Sequence, residues 1–230
     1  MIRREKETTR LETFVDAAFA FALTMLVVSI DAVPQSYAEL VEAIKRVPAF
    51  AASFAIVVMF WHAHYRCSRR FGVEDGGAVL LSLALVFLVL VFLYPLRLMM
   101  SGAFNALSLG WLPGELRLES AGQLRFVFVL YGLAFALMAG TLCLQFARVR
   151  RLALDPPLSV EDRAVSRVET QVWGILSVTG IASALLALVL PAHRLAIAVW
   201  LYACLGVVMP LMGRRWTREI EAAVAPSDAG

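Results

Sequence analysis

The sequence predicts an all-α membrane protein with six transmembrane helices and both termini in the cytoplasm. Three observations predict it. The 230 residues are 60% hydrophobic and 17% charged, with a mean hydropathy of +0.76, whereas soluble domains carry roughly 25% charged residues. Apolar runs of about 20 residues, enough to cross a bilayer as helices, recur along the chain. Lys and Arg alternate between dense and sparse connectors. The ~10-residue alternating segments of a membrane barrel are absent.

Residues 1–9 are a charged flank. Glu5 and Glu7 follow Arg3-Arg4, and no small-x-small site ends the next apolar run, which argues against a cleaved signal. The first span, about 11–30, opens on charge and then turns apolar. A connector over 31–46 repeats Tyr37, Leu40, Val41 and Ile44 at helical spacing, which predicts a short interfacial helix. Pro48 opens the second span, about 48–64, at a position that tolerates proline. Arg66, Arg69 and Arg70 make a basic turn closed by Gly76-Gly77.

The third span, about 78–98, is the most apolar, and Pro95 beside Arg97 predicts a kink or an end there. A long loop over 100–123 leads to the fourth span, about 124–146. Arg148, Arg150, Arg151 and Pro156-Pro157 predict a polar loop to about Glu169. The fifth span is about 172–190. A tight turn at Pro191–Arg194 leads to the sixth, about 195–212, and a short amphipathic tail begins at Arg214. The chain reads as one transmembrane domain, 1–230, in a multi-pass protein of the cytoplasmic (inner) membrane.

Charge orients the spans. The N-terminal flank, the second and fourth connectors and the tail hold fifteen Lys and Arg; the alternate connectors hold five, with Arg97 inside a span. That imbalance places both termini in the cytoplasm. The net charge of +3 is no nucleic-acid signature, because position along the membrane accounts for it. Cys67, Cys143 and Cys204 lack metal-like spacing and read as small buried residues.

Ionisable groups at membrane depth are costly, so they mark candidate sites. Glu12 and Asp16 share a helix face, with Arg10 just before them. Arg10 and Glu12 also suit simple snorkelling to the interface; Asp16 is deeper. The second span ends in Trp61-His62-Ala63-His64, at the same depth by topology. A His or Trp donor there reaching Asp16 would satisfy buried polar groups on both helices. Trp61 equally suits an interfacial belt. His62 and His64 stand two apart with no third ligand, which disfavours a metal site.

Above Asp16, Phe21, Met25 and Val28 form one stripe, with Thr24 beside it. It reads either as helix packing or as the lining of a pore with a hydrophobic constriction. No Ser-His-Asp, HExxH or nucleotide fingerprint appears, so an enzyme has little support and no cofactor is expected.

Arg10, then Phe14-Val15-Asp16, an Ala/Phe/Leu-rich span with Thr24, and Trp61 with His64 before a basic turn and Phe71 together resemble the transmembrane-protein-175 family of potassium channels. The family pattern is Arg-x-x-x-Phe-Ser-Asp on the first helix and Trp-x-x-His on the second. The resemblance implies a homotetramer with the first helix of each subunit lining a central pore. It implies a constriction at Phe21, with Met25 and Val28 above it and Thr24 as a polar ring. It also implies an inter-helix polar network of Arg10, Phe14, Asp16, Trp61 and His64 bracing the pore helix. Three positions depart: Val15 stands for the motif Ser, Phe21 for the usual Ile or Leu, and Ser82 where the third helix commonly has Asn.

The expected activity is a moderately potassium-selective cation leak, with K+ as permeant ion and no metal or cofactor. The partners expected are further copies of the chain and the lipid bilayer, with no nucleic acid and no small-molecule substrate. A proton- or solute-coupled transporter using Asp16, His62 and His64 stays open as an alternative, as does a non-conducting membrane scaffold.

Overall fold

The computed structural model describes residues 2–3, 9–28, 33–115 and 120–224. Seven α-helices carry the fold: α1 (Arg10–Val28), α2 (Tyr37–Lys45), α3 (Val47–Phe71), α4 (Gly76–Leu107), α5 (Ala121–Val149), α6 (Val160–Val189) and α7 (Ala196–Val224). A 3-10 turn, Ala192–Arg194, separates the last two. Two-residue strands β1 (Ile2–Arg3) and β2 (Leu154–Asp155) pair in parallel.

Helix starts follow local chemistry. Ser36, Asp75, Ser120 and Ser159 each accept from the backbone N–H three residues on, at Glu39, Ala78, Gln123 and Asp162. A side-chain oxygen there satisfies one of the N–H groups that a helix start leaves without a partner. Gly72 ends α3 in the left-handed region at φ 57°, a conformation glycine adopts without the steric cost of a Cβ.

Tyr37–Phe71, α4, α5 and α6 are each long and apolar enough to cross a membrane. The protein is therefore a helical membrane protein. Successive helices run antiparallel, as bonds between their ends show. At one end, Glu12 of α1 meets Arg69 of α3, Asp75 before α4 meets Arg148 of α5, and Arg70 of α3 meets Glu161 and Asp162 of α6. At the other end, Arg97 meets Glu115, and Arg125 of α5 donates to the Leu188 and Leu190 carbonyls of α6.

Several boundaries differ from expectation. The third span does not end at Pro95; α4 continues to Leu107 through it. Proline removes one backbone donor, a loss that membrane helices tolerate when neighbours and local adjustments satisfy the freed groups. The loop expected over 100–123 is correspondingly shorter, and its residues 116–119 lie outside the described set. The polar loop expected to run to Glu169 ends at Ser159, where the cap starts α6 about three turns early. The helix expected to end with the second span at 64 continues to Phe71, and α7 runs through Pro210 to Val224.

The main core is an apolar cluster shared by α1, α3, α4, α5 and α6, with Phe60, Phe135 and Trp173 packed ring to ring, and a small second cluster of Ala187, Leu195 and Ala198 lies where α6 meets α7. The closest backbone approach is between α5 and α6. A Cβ built on Gly180 would lie 2.8 Å from the Gly132 carbonyl oxygen, and one on Gly132 would lie 2.9 Å from that of Gly180. Ala136 and Ala184 stand one turn beyond each glycine, the small-xxx-small pattern that lets membrane helices touch.

Candidate functional site

The functional candidates sit on α1 and on the helices around its charged end. Thr9 begins that helix: its Oγ1 accepts from the Glu12 backbone N–H at 3.1 Å. The turn after it delivers Glu12 and Asp16. Glu12 is buried, and its carboxylate lies 3.7 Å from the Arg69 guanidinium of α3. One turn deeper, Trp61 Nε1 of α3 donates to Asp16 Oδ1 at 2.8 Å. A hydrogen bond to an ionised acceptor contributes about 2 kcal/mol, and this one fixes the register of α1 against α3. Trp61 also stacks on Tyr65 at 5.6 Å between centroids.

His64 goes elsewhere. It is buried, and its Nε2 lies 2.9 Å from Ser82 Oγ of α4. It thus ties α3 to α4 while Trp61 ties α3 to α1. Arg10 and Phe14 are exposed on α1 and, among the described residues, are not bonded to Asp16, Trp61 or His64. Arg10 occupies the first helical residue, where its head group reaches water. Val15, at the motif Ser position, is fully buried in the core. No group of three or more metal-ligating side chains occurs among the described residues.

The deeper part of α1 has two unlike faces. Val15, Phe19, Ala22 and Leu26 are at most 3% exposed and pack into the protomer. Phe14, Phe21 and Met25 point outward, at 53%, 54% and 40% exposure. Thr24 is on this outward face, and its hydroxyl donates to the Ala20 carbonyl at 2.9 Å. Val28 closes α1, and its side chain lies outside the described set. The 3.6-residue period separates these faces. What α1 offers outward is an apolar, uncharged strip ending at a carboxylate–indole pair.

Around the charged end, the basic turn proves to be a set of ion pairs. Arg66 donates to Glu169, which also accepts from Trp173 Nε1 at 3.1 Å. Arg70 holds Asp162 at 2.9 Å and Glu161 at 2.7 Å. Burial raises the Asp75 carboxyl, but Arg148 and the Ala78 N–H more than offset this and hold it below its ordinary range. Sequence reasoning used these arginines only to orient the chain and missed their partners. The partners leave a signal: Asp162 and Glu169 are seven apart along one helix face, as Arg66 and Arg70 share a face of α3 one turn apart.

With this geometry in hand, comparison with known proteins is informative. Residues 10–95 match the family model described as endosomal/lysosomal potassium channel TMEM175. A curated relative from Marivirga tractuosa, named a potassium channel, is 38% identical over 94 residues, which cover 41% of this chain. The chain matches only 38% of that relative's length. Among solved structures, a variant of the potassium channel MtTMEM175, in complex with a nanobody fusion, aligns with a TM-score of 0.78 at 24% identity, over 94% of this chain and 96% of that one. A lysosomal potassium-selective channel TMEM175 homolog from Chamaesiphon minutus aligns with a TM-score of 0.61 at 20% identity, over 90% and 98%. At these identities the likeness speaks for the fold.

Proposed function

We propose that this chain, whose residues 10–95 match the TMEM175 family model, is a member of that family and a moderately potassium-selective cation leak channel of the cytoplasmic membrane. Four copies assemble with the outward strip of α1 facing a shared axis. The observation that carries this reading is the two-faced α1, whose apolar outer strip with Phe21 and Met25 is half-exposed in the single chain. Phe21 forms the narrowest layer, with Met25 and Val28 above it and Thr24 beside them. Passing such a ring strips part of an ion's water, and potassium gives up water more readily than sodium. Selectivity then arises from dehydration at a hydrophobic constriction, with no carbonyl filter.

The polar network is the brace of this pore. Asp16 and Trp61 hold α1 against α3, and His64 and Ser82 hold α3 against α4, so the strip keeps its orientation. The proposed topology has six spans with both termini cytoplasmic. Pairing of Ile2–Arg3 with Leu154–Asp155 supports it. Ile2–Arg3 beside the α5–α6 connector is what an even number of crossings between them would give.

Purified protein in planar bilayers under a potassium/sodium bi-ionic gradient tests the reading. Potassium-favouring current altered by Phe21→Ala supports the channel. Substrate-coupled uptake without unitary current would instead indicate a transporter, and no flux at all a scaffold. Asp16→Ala is expected to lower tetramer yield more than selectivity; an assembled tetramer with reversed selectivity would make Asp16 a filter residue.

A further inference from the structure

A second feature lies away from α1, between α6 and α7. An open groove of about 680 Å³ runs there, walled by Gly174, Ile175, Val178, Met212, Arg215 and Trp216. Away from Gln171 and Arg215 its walls are apolar except for Thr179, whose hydroxyl donates to the Ile175 carbonyl, and Val178 is largely exposed. At its polar end, Trp216 Nε1 donates to Gln171 Oε1 at 2.9 Å and ties the two helices together. Tryptophan, with an apolar ring and a polar N–H, favours the boundary between lipid and water.

Charge is sorted around this end. On α6, Arg163 and Arg167 stand eight and four residues before Gln171, hence on the face that leads into the groove. Asp162 and Glu169 lie on the opposite side, where Arg70 and Arg66 of α3 neutralise them. On α7, Arg215 is exposed at the groove, with Arg218 and Glu219 one turn on, so Arg163, Arg167, Arg215 and Arg218 outnumber that carboxylate. The groove therefore has an apolar body and a basic mouth, both at one leaflet boundary. Basic pockets between membrane helices on the cytoplasmic side suit anionic lipid headgroups.

We propose that this groove holds an anionic phospholipid of the cytoplasmic leaflet. The phosphate sits at Arg215, in the field of Arg163, Arg167 and Arg218, where a guanidinium donates two parallel hydrogen bonds to phosphate oxygens. An acyl chain lies along Ile175, Val178 and Met212. The inference rests on the membrane placement of α6 and α7 and not on ion conduction, so its failure leaves the channel reading untouched.

Native mass spectrometry of the full chain in detergent, titrated with phosphatidylglycerol or phosphatidylcholine, tests it. Each surface arginine favours an anionic lipid by about fivefold, so phosphatidylglycerol is retained at least that much more tightly. Arg215→Gln cuts the preference by about fivefold, and Arg215→Lys keeps most of it. Val178→Trp, which fills the groove without changing charge, reduces retention of both lipids. Both positions are exposed at the groove, and unchanged elution volume and thermal midpoint verify folding. Equal retention of the two lipids by the wild type overturns the proposal. So does a preference unaffected by Arg215→Gln, or retention unaffected by Val178→Trp.

Discussion

The two halves of this molecule hold their helices together by different principal means. From α1 to α4, side chains bond to side chains across helices: Asp16 with Trp61, Glu12 with Arg69, His64 with Ser82. Between α5 and α6, glycines and alanines let the backbones touch, and the side-chain bonds there, from Ser177 to Ala136 and from Ser166 to Phe146, go to backbone carbonyls. The first device fixes orientation, because a carboxylate–indole bond has one geometry. The second maximises close packing, which is what drives association where lipid competes with any apolar surface. The half that needs a defined rotation of α1 uses the first, and the family match falls on that half.

The largest effect expected from breaking this contrast lies in the packed half. Gly180→Val places a Cβ 2.8 Å from the Gly132 oxygen and 2.9 Å from Ala136. Neither backbone can yield locally, so a loss of about 3 kcal/mol is expected, read as a lowered thermal midpoint in detergent. An unchanged midpoint would show that the α5–α6 contact is not tight. Next comes the bonded half. A double-mutant cycle of Asp16→Ala with Trp61→Phe should give a coupling of about 2 kcal/mol. Additive losses would mean that the bond does not join α1 to α3.

Phe21→Ala sharpens the comparison from the other side. Phe21 is half-exposed in the protomer, so its effect on protomer stability should stay within about 0.5 kcal/mol while conductance changes. A large drop in stability would place Phe21 in protomer packing. The smallest effect concerns Asp75, whose lowered carboxyl pKa stems from Arg148 and the Ala78 N–H acting against burial. A group lowered in the folded state contributes stability that is full above its ordinary value of 3.8 and is lost as pH falls through the folded value. Asp75→Asn should therefore lower the thermal midpoint slightly at neutral pH, where the contribution is full, and flatten its acid limb; a midpoint unchanged at neutral pH would contradict this.

Much of this architecture was legible in the sequence, for identifiable reasons. Hydropathy located the apolar helices, since composition alone reports bilayer-length runs. The pairing of Trp61 with Asp16 followed from matching their depths by charge topology. The starts of α2, α5 and α6 were equally legible and were overlooked: Ser36, Ser120 and Ser159 each precede Glu39, Gln123 and Asp162 at capping spacing. Pro95 misled, because the rule that proline ends a helix is weaker in a membrane, where α4 runs on to Leu107. His64 was grouped with Asp16, yet it lies by Ser82; one helix turn separates it from Trp61, and only the packing of α4 decides its neighbour. The tight α5–α6 contact shows no periodic signal beyond Gly132 with Ala136 and Gly180 with Ala184, two short patterns that reveal nothing of each other until the helices are paired.

The central claim is that the outward strip of α1 is the ion path. The most direct test is the reversal potential of purified protein in planar bilayers, with potassium on one side and sodium on the other, for wild type and Phe21→Ala. The account predicts a wild-type reversal displaced toward potassium, and a Phe21→Ala channel with larger current and a smaller displacement. Absence of current, or a reversal and conductance identical in the two proteins, would contradict it.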